Sequence, residues 1–188
     1  MPEALRLLLP YDFSPTVLAA SLAAAVLFAA GQWRARKAGT PVGIFRGLAF
    51  WTGLALSYAV LQTHIDYLAQ HMFWVHRAQH LVLHHIGPML MVLAVPHAVM
   101  AAALSERVRG GWLRPLWHHP AVRVPYRILQ NPVVASLLFV GLIYFWLIPS
   151  VHFVAMLSVP YYHAMNWSML VEGLLFWWLI LDPRSPVN

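Results

Sequence analysis

The sequence predicts an all-helical membrane bundle of about five spans, and three observations predict it. Hydrophobic residues make up 61% of the 188 residues and charged residues only 10%, where a soluble domain carries roughly a quarter charged residues. A chain this apolar cannot cover its surface with polar groups, so lipid must cover it. The uncharged runs are long enough to cross a bilayer, which takes about 20 mostly apolar residues. The basic residues sit in short connections and at the ends of those runs, which is a topology signal rather than a nucleic-acid one.

No residue between Phe13 and Trp33 is charged, which places span one at 14–32. The N-terminus lacks the signal-peptide order of basic start, apolar run and small-residue cleavage site, so this span reads as a retained helix. Span two, 47–63, is flanked by Arg46 and Asp66. Span three, 78–105, holds four histidines but no Asp, Glu, Lys or Arg. It is long for one span, which predicts tilt, an exposed end, or a kink at Pro88 or Pro96. The uncharged stretch from Ile128 to Val171 is too long for one helix, and Pro149, Ser150 and Pro160 divide it. Asn131-Pro132 reads as a helix start. That gives span four at 132–148 and span five at 163–181, with Asp182-Pro183 closing the last helix. The whole chain reads as a single integral membrane domain.

Arg34, Arg36, Lys37, Arg46, Arg107, Arg109, Arg114, Arg123, Arg127 and Arg184 all fall on one side of this arrangement. Only Arg6 and Arg77 fall on the other. The positive-inside rule makes the first side cytoplasmic, with the N-terminus outside and the C-terminus inside. The long inner connection, 106–130, mixes its arginines with Trp112, Trp117 and Tyr126 and reads as an amphipathic segment on the membrane surface.

Cysteine is absent, which excludes disulfides, thiolate metal sites and cysteine catalysis. A metal site would have to use His, Met, carboxylate or backbone ligands. With this topology His64, His71, His76, His80, His84, His85, His152 and His163 gather on the outer side together with Asp66, while His97, His118 and His119 lie toward the cytoplasm. The densest stretch is HRAQHLVLHH. On a helix His76, His80 and His84 form a slanting row, each step turning about 40° and rising about 6 Å. One turn is the spacing at which two imidazoles can share a metal. Imidazole suits copper, zinc, iron and nickel, and the outer Met72, Met156 and Met165 add a tilt toward Cu(I). His163 opens span five on the same side, with Asn166 one turn deeper and Glu172 near mid-membrane. A Glu at that depth marks either a proton path or a hydrogen bond between helices. His76, His80 and His163 are therefore expected to face one outward cavity, with Asp66 near its rim and His84 in its floor.

The run HRAQHLVLHHIGPMLMVLAVP resembles the signature of the multi-span CtaG family, assembly factors of caa(3)-type cytochrome c oxidases. The family pattern H-M-x-Q-H-L-L-L, followed by an apolar P-L-L-x-L-x-x-P, is matched by His76, Gln79, His80, Leu81, Leu83, Pro88, Leu90, Leu93 and Pro96. The C-terminal GLLFWWLILDP is similar to the family's last helix, and His163 fits the histidine that precedes it. Arg77 replaces the usual Met, Asn166 stands where a second histidine is expected, and Glu172 stands where a small residue is usual. The chain is also short for a family that commonly has six or seven spans. The resemblance implies a non-enzymatic role in maturing the oxidase in the bacterial plasma membrane, helping copper reach the catalytic subunit. Its implied partners are oxidase subunits or other assembly factors and the lipid bilayer; a homo-oligomer stays open. Three rivals remain: a di-iron hydroxylase or desaturase, a haem b protein with axial histidines such as His80 and His163, and a scaffold that binds no metal.

Overall fold

The computed structural model describes residues 9–10 and 12–181, and among them every regular element is helical. The first is α1 (Pro15–Lys37), whose start is fixed by the Ser14 side chain accepting from the Val17 amide and by Pro15 in its first turn. Arg34, Arg36 and Lys37 occupy its last turn, where cations complement the carbonyl end of the helix. Next come α2 (Ile44–Gln62) and the short α3 (His64–His71), the latter capped by Thr63. The long α4 (Phe73–Leu93) carries a π-helical turn at Val82–Ile86. It is followed by α5 (Pro96–Ala103), a run of short helical turns over 106–118, and α6 (Pro120–Leu129). The C-terminal part holds α7 (Pro132–Leu147), α8 (Pro149–Leu157) and α9 (Val159–Leu181).

Three of these helices, α1, α2 and α9, are each long and apolar enough to cross a membrane. The pairs α4 with α5, bent by 63°, and α6 with α7, bent by 74°, bring the candidate spans to five. The all-helical class is as the composition predicts. Span four starts where Asn131-Pro132 places it, with the Asn131 side chain accepting from the Val133 and Val134 amides. The third span starts earlier than its charge-free run, at Phe73, because Arg77 lies inside the helix rather than at its edge. It breaks just before Pro96, where Val95 takes the left-handed conformation with φ 51°. Span five starts at Val159, so His163 sits one turn inside it rather than at its head. The predicted stop at Asp182-Pro183, and Arg6 and Arg184, lie outside the described residues.

The centre of the bundle is α4, with α2 and α9 packed against it; α7 and α8 pack on α9, and α1 packs on α2 and α5. Small residues let these backbones approach closely, the packing mode open to helices in lipid. A Cβ on Gly53 would lie 2.6 Å from the carbonyl oxygen of Gly87, and one on Gly173 would lie 2.5 Å from that of His84. The buried core between the crossings is formed by Phe28, Phe50, Leu83, Met91, Met165 and Met169, with Phe28 and Phe50 stacked at 3.7 Å. Outward-facing apolar side chains such as Val26, Leu137, Tyr144 and Val171 stay exposed on the bundle and supply the lipid-facing surface.

The two ends of the bundle differ. At one, Arg34 Nη1 donates to the Ala102 carbonyl at 3.1 Å, tying the end of α1 to the end of α5 beside the 106–130 segment. At the other end lie α3, the start of α4, α8 and the start of α9. His118 and His119 belong to the first end, and Asp66, His76, His80, His152 and His163 to the second.

Candidate functional site

The second end is built on Asp66. Thr63 caps α3 and sets Asp66 in its first turn, where it is buried. Gln79 Nε2 donates to Asp66 Oδ1 at 2.7 Å and to the Val60 carbonyl at 2.7 Å. The Tyr162 hydroxyl donates to Asp66 Oδ1 at 2.7 Å, with Gln79 Oε1 3.2 Å away. Gln70 Nε2 donates to Asp66 Oδ2 at 3.0 Å. One carboxyl thus links α3, α4 and α9. Burial raises it above its ordinary 3.8, against the pull of the bonds from Tyr162, Gln79 and Gln70 and of nearby His163.

Beside this network the imidazoles of His76 and His80 lie 4.3 Å apart between ring centres, and His152 of α8 approaches His76 at 5.1 Å. His76 is 1% exposed, yet neither of its ring nitrogens has a hydrogen-bond partner among the described residues. Nε2 of His80 and Nδ1 of His152 are likewise unpartnered. Buried polar atoms are nearly always paired, so four unpartnered ring nitrogens on three adjoining imidazoles are an unusual concentration. Burial and the neighbouring Arg77 push His152 below its ordinary 6.5, partly offset by a backbone hydrogen bond with Trp146. The neutral ring leaves a lone pair free. Buried Asn166 adjoins both His80 and Tyr162.

The five residues expected around one cavity are distributed over three neighbouring places. His76 and His80 meet, joined by His152. His163 lies 6.3 Å from Tyr162 and lines, with Asp66 and Gln70, a separate cavity of about 330 Å³; no ring contact joins it to His76 or His80. His84, fully buried, makes a 2.6 Å hydrogen bond through Nε2 to Glu172 Oε2 and stacks on Phe139. It shares a cavity of about 180 Å³ with Arg77, His80 and His85. Among the described residues, no three His, Asp or Glu side chains are arranged to hold a metal ion. The π turn begins at Val82, between His80 and His84.

His152 is the member that spacing did not single out. It lies 72 positions from His80, and only the turn at Pro149 and the packing of α8 on α9 bring it in. Tyr162 carried no signal, because a tyrosine at a membrane interface is ordinary. Gln79 stood inside the motif without an assigned role.

Glu172 makes the expected hydrogen bond between helices, from α9 to His84 of α4. Glu172→Gln is expected to keep that bond and leave thermal stability within about 0.5 kcal/mol, while Glu172→Ala orphans His84 and costs about 1–3 kcal/mol. Equal melting of the Gln and Ala variants, measured by tryptophan fluorescence in detergent, would show that the bond contributes nothing.

The family described as "Cytochrome c oxidase caa3 assembly factor" matches residues 26–188 of the chain. Among curated proteins, an uncharacterized protein of Mycobacterium leprae is 28% identical over 195 residues, covering 97% of this chain and 28% of the relative. Uncharacterized proteins of Mycobacterium bovis and Mycobacterium tuberculosis are each 29% identical, with the same coverage. The chain therefore spans little more than a quarter of the length of the curated relatives it matches. No solved structure matches.

Proposed function

Since the chain belongs to the cytochrome c oxidase caa3 assembly factor family, we propose that it assists oxidase maturation by holding copper at the histidine-lined end of the bundle and releasing it to the oxidase. His76 and His80 are the two ligands, and His152 stands beside His76 without completing a three-residue site. His163 and Asp66 act beside that site rather than in it, and His84 braces the helix below it.

The observation that carries this reading is His76, buried with both ring nitrogens unpartnered and facing two more imidazoles with orphaned nitrogens. Imidazoles without thiolates suit copper that must be bound and then given up. Copper supplies no reaction in this reading. The chain's residues only bind and position it, so the protein is a handover factor of the bacterial plasma membrane and not an enzyme. The haem alternative needs His80 and His163 on one iron, and these rings belong to different groupings. The di-iron alternative needs histidine boxes converging on one centre, and here they divide into separate places.

The test is the copper content of the full chain purified in detergent and loaded with Cu(I). His76→Ala with His80→Ala is expected to lose more than nine-tenths of the bound copper while still inserting and folding, since Ala is a good helix former. In cells, the same double variant is expected to lower cytochrome oxidase activity toward the level of a deletion, with added copper partly restoring it. Unchanged copper occupancy in the double variant would end the ligand assignment. Normal oxidase activity of a deletion at every copper level would end the assembly role.

A further inference from the structure

A second kind of cavity lies at the opposite end from the histidines. It is about 630 Å³, and its lining includes Glu106, Arg109, Leu113, Arg114, Leu116 and Trp117. The segment around it, 106–130, has no buried residue. Trp112 is 77% exposed, and Leu113, Leu116, Trp117, Val124 and Ile128 are exposed as well. Five arginines stand in this segment against one carboxylate, Glu106, and that carboxylate pairs with Arg109. Arg114 on the cavity wall has no carboxylate partner among the described residues.

The shape of the segment matters as much as its charge. The 74° bend between α6 and α7 turns α6 away from the direction of the span. On α6, Arg123 and Arg127 fall one turn apart on one face, with Val124, Pro125 and Ile128 turned from it. A basic amphipathic helix lying across the end of a span sits at the depth of the lipid head groups. Trp112 and Trp117 are the side chains that settle at that depth. The cavity thus combines an apolar wall of Leu113, Leu116 and Trp117 with two guanidinium groups, of which Arg109 is paired with Glu106.

We infer that this cavity binds one anionic phospholipid, its phosphate against Arg114 and the upper part of an acyl chain along Leu113, Leu116 and Trp117. The assignment rests on charge complementarity: an uncompensated guanidinium over an apolar wall matches a negatively charged head group on a hydrocarbon tail. A protein carboxylate would satisfy Arg114 but leave the apolar wall bare, and a free phosphate would do the same. A bound lipid would hold the 106–130 segment to the bundle, which Arg34 already joins to the end of α5.

The inference is independent of the copper reading, and its test uses no metal. The full chain in detergent micelles is titrated with dioleoylphosphatidylglycerol, with dioleoylphosphatidylcholine and with inorganic phosphate. The melting temperature is followed by tryptophan fluorescence, and bound lipid is counted by native mass spectrometry. Phosphatidylglycerol is expected to raise the melting temperature saturably with one lipid retained, and the other two to leave it unchanged. Arg114→Gln is expected to weaken the phosphatidylglycerol response about fivefold, the factor set by one arginine near an anionic head group. Arg114→Lys should keep most of the response. Arg36→Gln, an exposed cation on α1 that does not line the cavity, should not change it. Equal responses to the two lipids, a response to inorganic phosphate that matches the lipid's, or an Arg114→Gln protein that binds like the native one would each overturn the assignment.

Discussion

Gly173→Ala is expected to cost more than about 3 kcal/mol and to abolish the function of the bundle, although it adds a single methyl group. That methyl would lie 2.5 Å from the carbonyl oxygen of His84 and 3.0 Å from Pro88 Cγ. Overpacking of a flexible core costs about 1–3 kcal/mol. Here the obstacle is backbone inside the π turn of α4, so nothing local can yield and α9 must move as a body. Tyr162 and Glu172 move with it, and with them the bonds to Asp66 and His84. The control is the same substitution at Gly141, in the middle of α7, where an added Cβ meets nothing within 4 Å. There the gain in helix propensity, about 1 kcal/mol, should leave stability unchanged or slightly higher. A Gly173→Ala protein that melts with the native one would mean that the α4–α9 crossing is looser than this geometry.

Asp66→Leu is the second large effect. It removes the one acceptor shared by Gln79, Tyr162 and Gln70. A buried donor left without a partner costs about 1–3 kcal/mol. Gln79 keeps its bond to Val60 and the Tyr162 hydroxyl can turn to Gln79, so the total is expected near 3 kcal/mol rather than the sum of three losses. Asp66→Asn keeps an oxygen for Gln79 and Tyr162 and costs about 1 kcal/mol.

The two variants also separate charge from shape through pH. The Asp66 carboxyl is raised in the folded protein above its ordinary 3.8, chiefly by burial. The folded state therefore binds the proton more tightly than the unfolded one. Its stabilising contribution is full below 3.8 and declines as pH rises from there through the raised value. The stability difference between the native protein and Asp66→Asn should shift against the native protein over that window and level off above it. A difference that stays flat across the window would show that the carboxyl is not raised.

The helical class and the position of most spans were legible because they depend on quantities that add along the chain: apolar length, charge-free runs and proline breaks. Asn131-Pro132 located α7 to the residue because capping is local chemistry. The bend before Pro96 was legible as a candidate, while the π turn was not. Nothing in Val82–Ile86 distinguishes it from ordinary helix, and it arises where α9 presses on His84. The His76–His80 pair followed from spacing, since both lie on one regular stretch of α4. His152 joins them through the packing of α8, which no spacing encodes. His163 was expected with them because it opens span five on the same side as the start of span three, yet on α9 it lines the cavity beside Asp66 instead. Glu172 was recognised as needing a partner, and its partner was among the histidines already named.

The bend at Val95 also sets how the protein fits the sheet of lipid around it. At about 1.5 Å of rise per residue, α4 alone climbs about 31 Å, close to the hydrocarbon thickness of a bilayer. Continued straight, α5 would carry greasy residues well past the lipid and into water. Turned by 63°, it lies against α1 instead, with the Val99 carbonyl on Gly31. The helices α1, α2 and α9, of 23, 19 and 23 residues, rise to similar heights. Helices of these lengths come within a few Å of the hydrocarbon thickness, so the surrounding lipid needs little thinning or thickening to meet them. A larger membrane complex of ordinary height could come alongside without elastic work against the bilayer.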